Sequence, residues 1–293
     1  MPENCLMRLV RNYQLQKINR FALTAAMMLI LLFSQANAQQ RLVIVGGGER
    51  PKAAMSKFVE WSGGARRARI LFIPWATSEP EASFKYFKES LTAFSPQEIE
   101  VSPVAPLTEE KKSKFLSQLK NATGVFFGGG DQGRIMNVLK DESLLQAVKE
   151  RYAAGTVFGG TSAGAAIMSA QMITGEGDFT VIDGSKVQTN LGLGLLPDYV
   201  IVDQHFIKRQ RENRLFGLIL QNPEKFGVGI DESTAILVTD NRFAEVVGAS
   251  QVMLVSAKAG QKQALIIYLA KPGERFDLRK RKLDKRKAAY QSK

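Results

Sequence analysis

Ser162 stands inside Gly160-Thr161-Ser162-Ala163-Gly164, a G-x-S-x-G pattern. A serine hydroxyl attacks a carbonyl at neutral pH only when a base takes its proton and a further group orients that base. In a nucleophile elbow the serine sits on a sharp strand-to-helix turn, and small neighbours make room for the backbone. The stretch TVFGGTSAGAAIM fits that geometry, with a short apolar strand before Ser162 and a helix after it. The N–H of Ala163, at the helix start, is placed to hold an oxyanion. The chain has one histidine, His205, so an imidazole base for Ser162 has to be that residue. It ends the apolar run YVIVDQHF, and strand C-terminal ends are where open α/β sheets place their sites.

A carboxylate is then needed to hold the histidine tautomer and stabilise imidazolium. The loop TGEGDF offers Glu176 and Asp178, and Glu176 is the preferred candidate. Asp203 is too near along the same strand, because residues two apart on a strand point in parallel. A second glycine turn, FFGGGDQGR, could complete an oxyanion hole, with Gly130 as the donor and Gln132 able to hydrogen-bond substrate.

These groups need a frame that brings strand ends together. RLVIVGGG and ARILFIP are continuous apolar runs, as strands buried on both faces are. Between them PKAAMSKFVEWSGG opens on proline and closes on glycine, the punctuation of a helix. SEPEASFKYFKESLTAF is expected as a helix capped by Ser78, and TEEKKSKFLSQLKNA as an amphipathic one. The alternation predicts a mostly parallel sheet flanked by helices. GVGIDEST, AILVTD, FAEVVG, QVMLVSA and QALIIYLA follow as short strands, expected to form an antiparallel edge near the C-terminus. VGGGERP fails the dinucleotide fingerprint, since its third position is Pro51, and no G-x-x-x-x-G-K-[ST] occurs.

The 293 residues carry a net charge of +12, but most of it lies at the ends. The first 38 residues hold +3 and the stretch from Arg275 onward +7, leaving +2 for the body. A body so nearly neutral argues against nucleic acid as a partner. The basic tail, residues 275–293, reads as a solvated terminus, with attachment to a polyanion as a lesser alternative. Residues 1–38 read as a signal peptide: Lys17 and Arg20, an apolar run Phe21 to Phe33, then Ala36-Asn37-Ala38 before Gln39. That run suits export better than a membrane span, and places the protein outside the cell or in the periplasm. The sole cysteine, Cys5, lies in this leader. A mature chain without it has no disulfide and no thiolate site, and no zinc or other cofactor is expected. Residues 39–274 are expected to form a single domain.

Taken in order, GGGDQ, GTSAGAA, DQHF and KRQRENR resemble the cyanophycinases, a serine-peptidase family that also includes α-aspartyl dipeptidases. The similarity runs over roughly Arg41 to Ala270. It implies a class I glutamine amidotransferase-like, flavodoxin-like sheet, with Ser162 as nucleophile and His205 as base. It also implies an acid some fifteen to twenty residues after the serine, for which no unambiguous counterpart is present. Gln132, Asp203 and Gln204 match substrate-pocket positions, and Arg209, Arg211 and Arg214 match arginines associated with the substrate's aspartyl part. Guanidinium groups suit such capture of carboxylates. Arg209 can join the other two only if the helix starts after it. The resemblance implies a peptidase that cuts cyanophycin, poly-aspartate with arginine on each β-carboxyl, into β-aspartyl-arginine dipeptides. The alternatives are an α-aspartyl or isoaspartyl dipeptidase and an exported binder without catalysis; a homodimer is compatible with each.

Overall fold

Alternating burial along one strand shows how the sheet is made. In β1 (Arg41–Val45), Leu42 and Ile44 enter the core on one face and Val43 and Val45 the core on the other. A strand covered on both sides needs an unbroken apolar run, and that is what its sequence carries. The computed structural model describes residues 38–261 and 263–284, and the predicted leader up to residue 37 lies outside them.

β2 (Arg69–Ile73), β3 (Glu98–Val101), β4 (Gly124–Phe127) and β5 (Val157–Thr161) join β1 as five neighbouring parallel strands, in the order β1-β5-β4-β2-β3. Helices α1 (Lys52–Trp61) and α2 (Pro80–Leu91) cover one face. Helices α3 (Glu109–Asn121) and α5 (Glu142–Ala153) cover the other; α4 (Gln132–Val138) and α6 (Ala163–Ala166) lie at the strand ends. Ser78 does not cap α2. That helix starts on Pro80, whose missing N–H and fixed φ suit the first helical position, while Thr77 Oγ1 accepts the Glu79 N–H. Thr108 caps α3 by accepting the Lys111 N–H.

Beyond β1 the sheet continues antiparallel through β10 (Thr234–Thr239), β11 (Phe243–Gly248), β14 (Arg275–Asp277) and β15 (Lys282–Asp284). A hairpin pairs β6 (Gln171–Gly177) with β7 (Val187–Leu191). A second sheet runs β13-β12-β9-β8, from β8 (Val200–Gln204), β9 (Phe226–Ile230), β12 (Val252–Ala257) and β13 (Leu265–Ala270). Helix α7 (Glu212–Gln221) packs Leu215, Leu218 and Ile219 beneath it. The expected α/β sheet with antiparallel C-terminal strands is therefore present.

Two expectations about this region change. The basic tail does not begin at Arg275, because β14 and β15 belong to the large sheet, with Phe276 and Leu278 fully buried. Apolar residues spaced among lysines and arginines hid those strands. The five expected edge strands also do not form one edge: β10 and β11 extend the large sheet, whereas β9, β12 and β13 lie in the second one, where β9 pairs antiparallel with β12 and parallel with β8, Gln204 opposite Ile230. Among the described residues no helix is long and apolar enough to cross a membrane.

Candidate active site

Ser162 sits between β5 and α6 with φ 53° and ψ −112°. A side chain with a Cβ is sterically disfavoured there, and such strain persists only where surrounding structure overdetermines it. The Ser162 N–H donates to the Val45 carbonyl at 3.1 Å, and its own carbonyl accepts from Ala165 and Ala166. The flanking glycines are needed for close approach. A Cβ on Gly160 would stand 2.2 Å from the Gly164 carbonyl oxygen, and one on Gly164 would stand 2.3 Å from that of Phe127.

The turn aims Ser162 Oγ at His205 Nε2, 2.8 Å away. His205 follows β8, and its N–H donates to the Gly46 carbonyl at 2.7 Å. The ring lies against Gly47, where a Cβ would meet it at 2.2 Å. The glycines of VGGGERP therefore serve the histidine, not a phosphate. On the far side of the ring, Nδ1 is 2.6 Å from Glu232 Oε1. Burial holds the His205 imidazole below its ordinary pKa; Glu232 pulls it up, while Arg209 and Arg211 push it down. A neutral imidazole between a hydroxyl and a carboxylate can accept the hydroxyl proton and hold the resulting charge.

Glu232 corrects the expected carboxylate. Glu176 is exposed on β6, in the hairpin, where its N–H donates to Thr174 Oγ1. Asp178 accepts the N–H and hydroxyl of Thr180 at 3.0 and 2.6 Å, closing its own turn. Neither bonds to His205. Parallel pairing of β8 with β9 explains why Glu232 does: residues that follow two parallel strands emerge side by side. The signal was the carboxylate pair in GVGIDEST, just beyond an apolar run.

Gly129 packs beside Ser162, with a Cβ position 3.3 Å from the Ser162 Cβ. Neither the Gly130 N–H nor the Ala163 N–H has an acceptor among the described residues, so both are free for an incoming oxyanion. Gln132 opens α4 and its side-chain amide donates to the Ile173 carbonyl at 3.0 Å. Gln204 is buried, and its Oε1 has no partner among the described residues.

The arginines divide. Helix α7 begins at Glu212, after Arg209 and Arg211, which satisfies the condition for grouping them. Arg209 is half exposed, with Nε 3.9 Å from Glu232 Oε1. Arg211 Nη1 donates to the Gln204 carbonyl at 2.9 Å, and burial pushes its pKa down to about 10. Arg214 and Asp203 are withdrawn from the cleft: each is 1% exposed, and they hold each other through Arg214 Nε and Nη2. The Arg214 guanidinium also lies 4.8 Å from the Phe179 ring centroid. Asp203→Ala would strand that guanidinium, so we expect about 3–5 kcal/mol lost in urea unfolding. A loss below about 1 kcal/mol, the range of exposed pairs, would count against the pair as an internal clamp.

Residues 42–246 match peptidase family S51. A cyanophycinase of Geminocystis herdmanii is 32% identical over 222 residues, covering 74% of this chain and 81% of its own. One from Synechococcus elongatus is 34% identical over 221 residues, covering 74% and 68%. A peptidase E of Nostoc sp. is 26% identical over 219 residues, covering 72% and 79%. The crystal structure of a peptidase from an acI-B1 Actinobacterium superposes with a TM-score of 0.62 at 23% identity, covering 82% of this chain and 98% of that one. The strained serine and its histidine thus lie within the matched segment, and the chain belongs to peptidase family S51, serine-type hydrolases that act on peptides.

Proposed function

We propose that the protein is an exported serine peptidase that hydrolyses cyanophycin to β-aspartyl-arginine dipeptides through an acyl-enzyme. The observation that carries the chemistry is the unbroken hydrogen-bonded chain Glu232–His205–Ser162. The substrate comes from the similarity to the two cyanophycinases. Export comes from the apolar run and the Ala-Asn-Ala site at the N-terminus.

In this mechanism Ser162 Oγ attacks a backbone aspartyl carbonyl while His205 Nε2 takes its proton. Glu232 holds the Nδ1 proton and balances the imidazolium. The Ala163 and Gly130 N–H groups take the oxyanion. His205 then protonates the leaving amine. Water, deprotonated by the same histidine, cleaves the ester and restores Ser162. Gln132, Gln204, Arg209 and Arg211 contact the substrate, whereas Asp203 and Arg214 position β8 and α7.

A long substrate is also favoured by a cavity of about 540 Å³ lined by Trp75, Thr77, Leu107, Lys112, Arg134 and Asp141. Gly130 touches the segment that forms one wall of it, since its Cβ position meets the carbonyl of Ala76, between Trp75 and Thr77. Incubating the protein with cyanophycin and weighing the products tests the reading. Release of β-aspartyl-arginine is expected. Cleavage of aspartyl or isoaspartyl dipeptides alone would favour the dipeptidase reading, and no labelling of Ser162 by a fluorophosphonate would favour a binder.

A further inference from the structure

Arg50 is a buried cation with no counter-charge among the described residues. It follows the glycine loop at the end of β1, where Gly47 meets the His205 ring and Gly48 approaches Glu232. It is 7% exposed, and Nε and Nη1 are enclosed without a hydrogen-bond partner. No ion pair reaches it among the described residues. Its guanidinium carbon lies 4.7 Å from the Tyr86 ring centroid, 5.6 Å from that of Phe87 and 6.0 Å from that of Phe126. Burial pushes its pKa down to about 10.

Cation–π contact with three rings offsets part of the desolvation but satisfies no N–H. The adjacent helix raises the local potential further. α1 begins two residues later behind Pro51, with no side-chain cap on its first N–H groups. The guanidinium itself presents unpartnered N–H donors and positive charge, and both are completed by an anion. The position is close to the chemistry. Phe126 packs over Gly159, three residues before Ser162, where a Cβ would meet the ring at 2.7 Å. Tyr86, which lies over the guanidinium, is itself half exposed, so solvent reaches the outer side of the ring that covers it.

We propose that Arg50 is a specificity-determining residue that binds a free carboxylate of the peptide substrate. Resting on the cyanophycinase reading, the carboxylate is the α-carboxylate that each arginine branch of the polymer keeps when its amino group is joined to aspartate. Arg50 thereby selects branched chains with free carboxylates over amidated ones.

Two measurements test this. The first is independent of cyanophycin: thermal unfolding in succinate against chloride of matched ionic strength. Wild type is expected to gain stability in succinate and Arg50→Met is not. The second uses calorimetry on Ser162→Ala, with a trimer of β-aspartyl-arginine repeats and its arginine-amide counterpart. Adding Arg50→Met should weaken the free-carboxylate ligand about 20-fold, the scale of a lost charged hydrogen bond, and leave the amidated one unchanged. Without ligand, Arg50→Met should unfold no earlier than wild type, since an unpaired buried charge has been removed. Should it misfold, Arg50→Lys keeps the charge, loses the planar fork, and should show a smaller loss for the free-carboxylate ligand alone. Equal weakening of both ligands, or a change below about threefold for either variant, would overturn the assignment. Succinate stabilisation with neither binding nor cleavage of the trimer would retain the carboxylate site and reject the cyanophycin reading.

Discussion

Replacing Ser162 with glycine is expected to abolish peptidase activity and to stabilise the fold in the same step. Activity should fall by about 10⁴-fold or more, because the attacking hydroxyl is gone and only oxyanion donors and binding remain. Stability should rise because φ 53° and ψ −112° are costly for a residue with a Cβ and accessible to glycine. Strain of this kind is worth about 1–3 kcal/mol. Glycine gives back roughly 0.5–1 kcal/mol through its freer unfolded chain, so the net gain lies between about 0 and 2.5 kcal/mol. Ser162→Ala separates the two effects: it removes the hydroxyl and keeps the Cβ. It should be as inactive as the glycine variant but no more stable than wild type. Urea midpoints of the three proteins read the result. Equal midpoints for the glycine and alanine variants would mean that the elbow stores no more strain than glycine's freer unfolded chain costs, about 0.5–1 kcal/mol.

The same turn shows what the sequence could and could not reveal. Ser162, its small neighbours and the single histidine are local features. A pattern of five residues and a count of one were enough to place both at strand ends. The β-α alternation was equally legible, since strands buried on both faces must be continuously apolar and helices between them carry their own start and stop residues. Glu232 was not legible in this way. It reaches His205 through the pairing of β8 with β9, and whether two short apolar runs lie parallel or antiparallel is written in neither of them. The carboxylates nearest Ser162 along the chain lie instead in the glycine-rich hairpin, where Glu176 is exposed and Asp178 is occupied by Thr180. Arg214 was misread for a related reason. Its spacing from Arg211 suits a shared surface, but the buried Asp203 on β8 draws it inward. Charge alone does not distinguish a guanidinium that waits for substrate from one already paired.

The carboxylate assignment yields the second large effect. Glu232→Gln should lower kcat/KM by about 10²–10⁴-fold, whereas Glu176→Gln should leave it within about twofold of wild type. An amide oxygen can still accept the Nδ1 proton, so the ring keeps its place, but the negative charge that balances imidazolium is lost. Solvent reaches Glu232, whose side chain is 29% exposed, and this puts the loss nearer the lower end of the range. The pH profile adds a readout that a merely structural role would not move. Activity needs neutral His205, so it is present above the histidine pKa and falls as acidification takes the pH through it. Burial, Arg209 and Arg211 already depress that pKa, and Glu232 opposes them. Removing the carboxylate leaves the depressing influences unopposed, so the acid limb should move to lower pH while the plateau drops. A lowered plateau with an unmoved limb would show that Glu232 acts on the fold and not on the imidazole. An equal loss in Glu176→Gln would return the assignment to the hairpin.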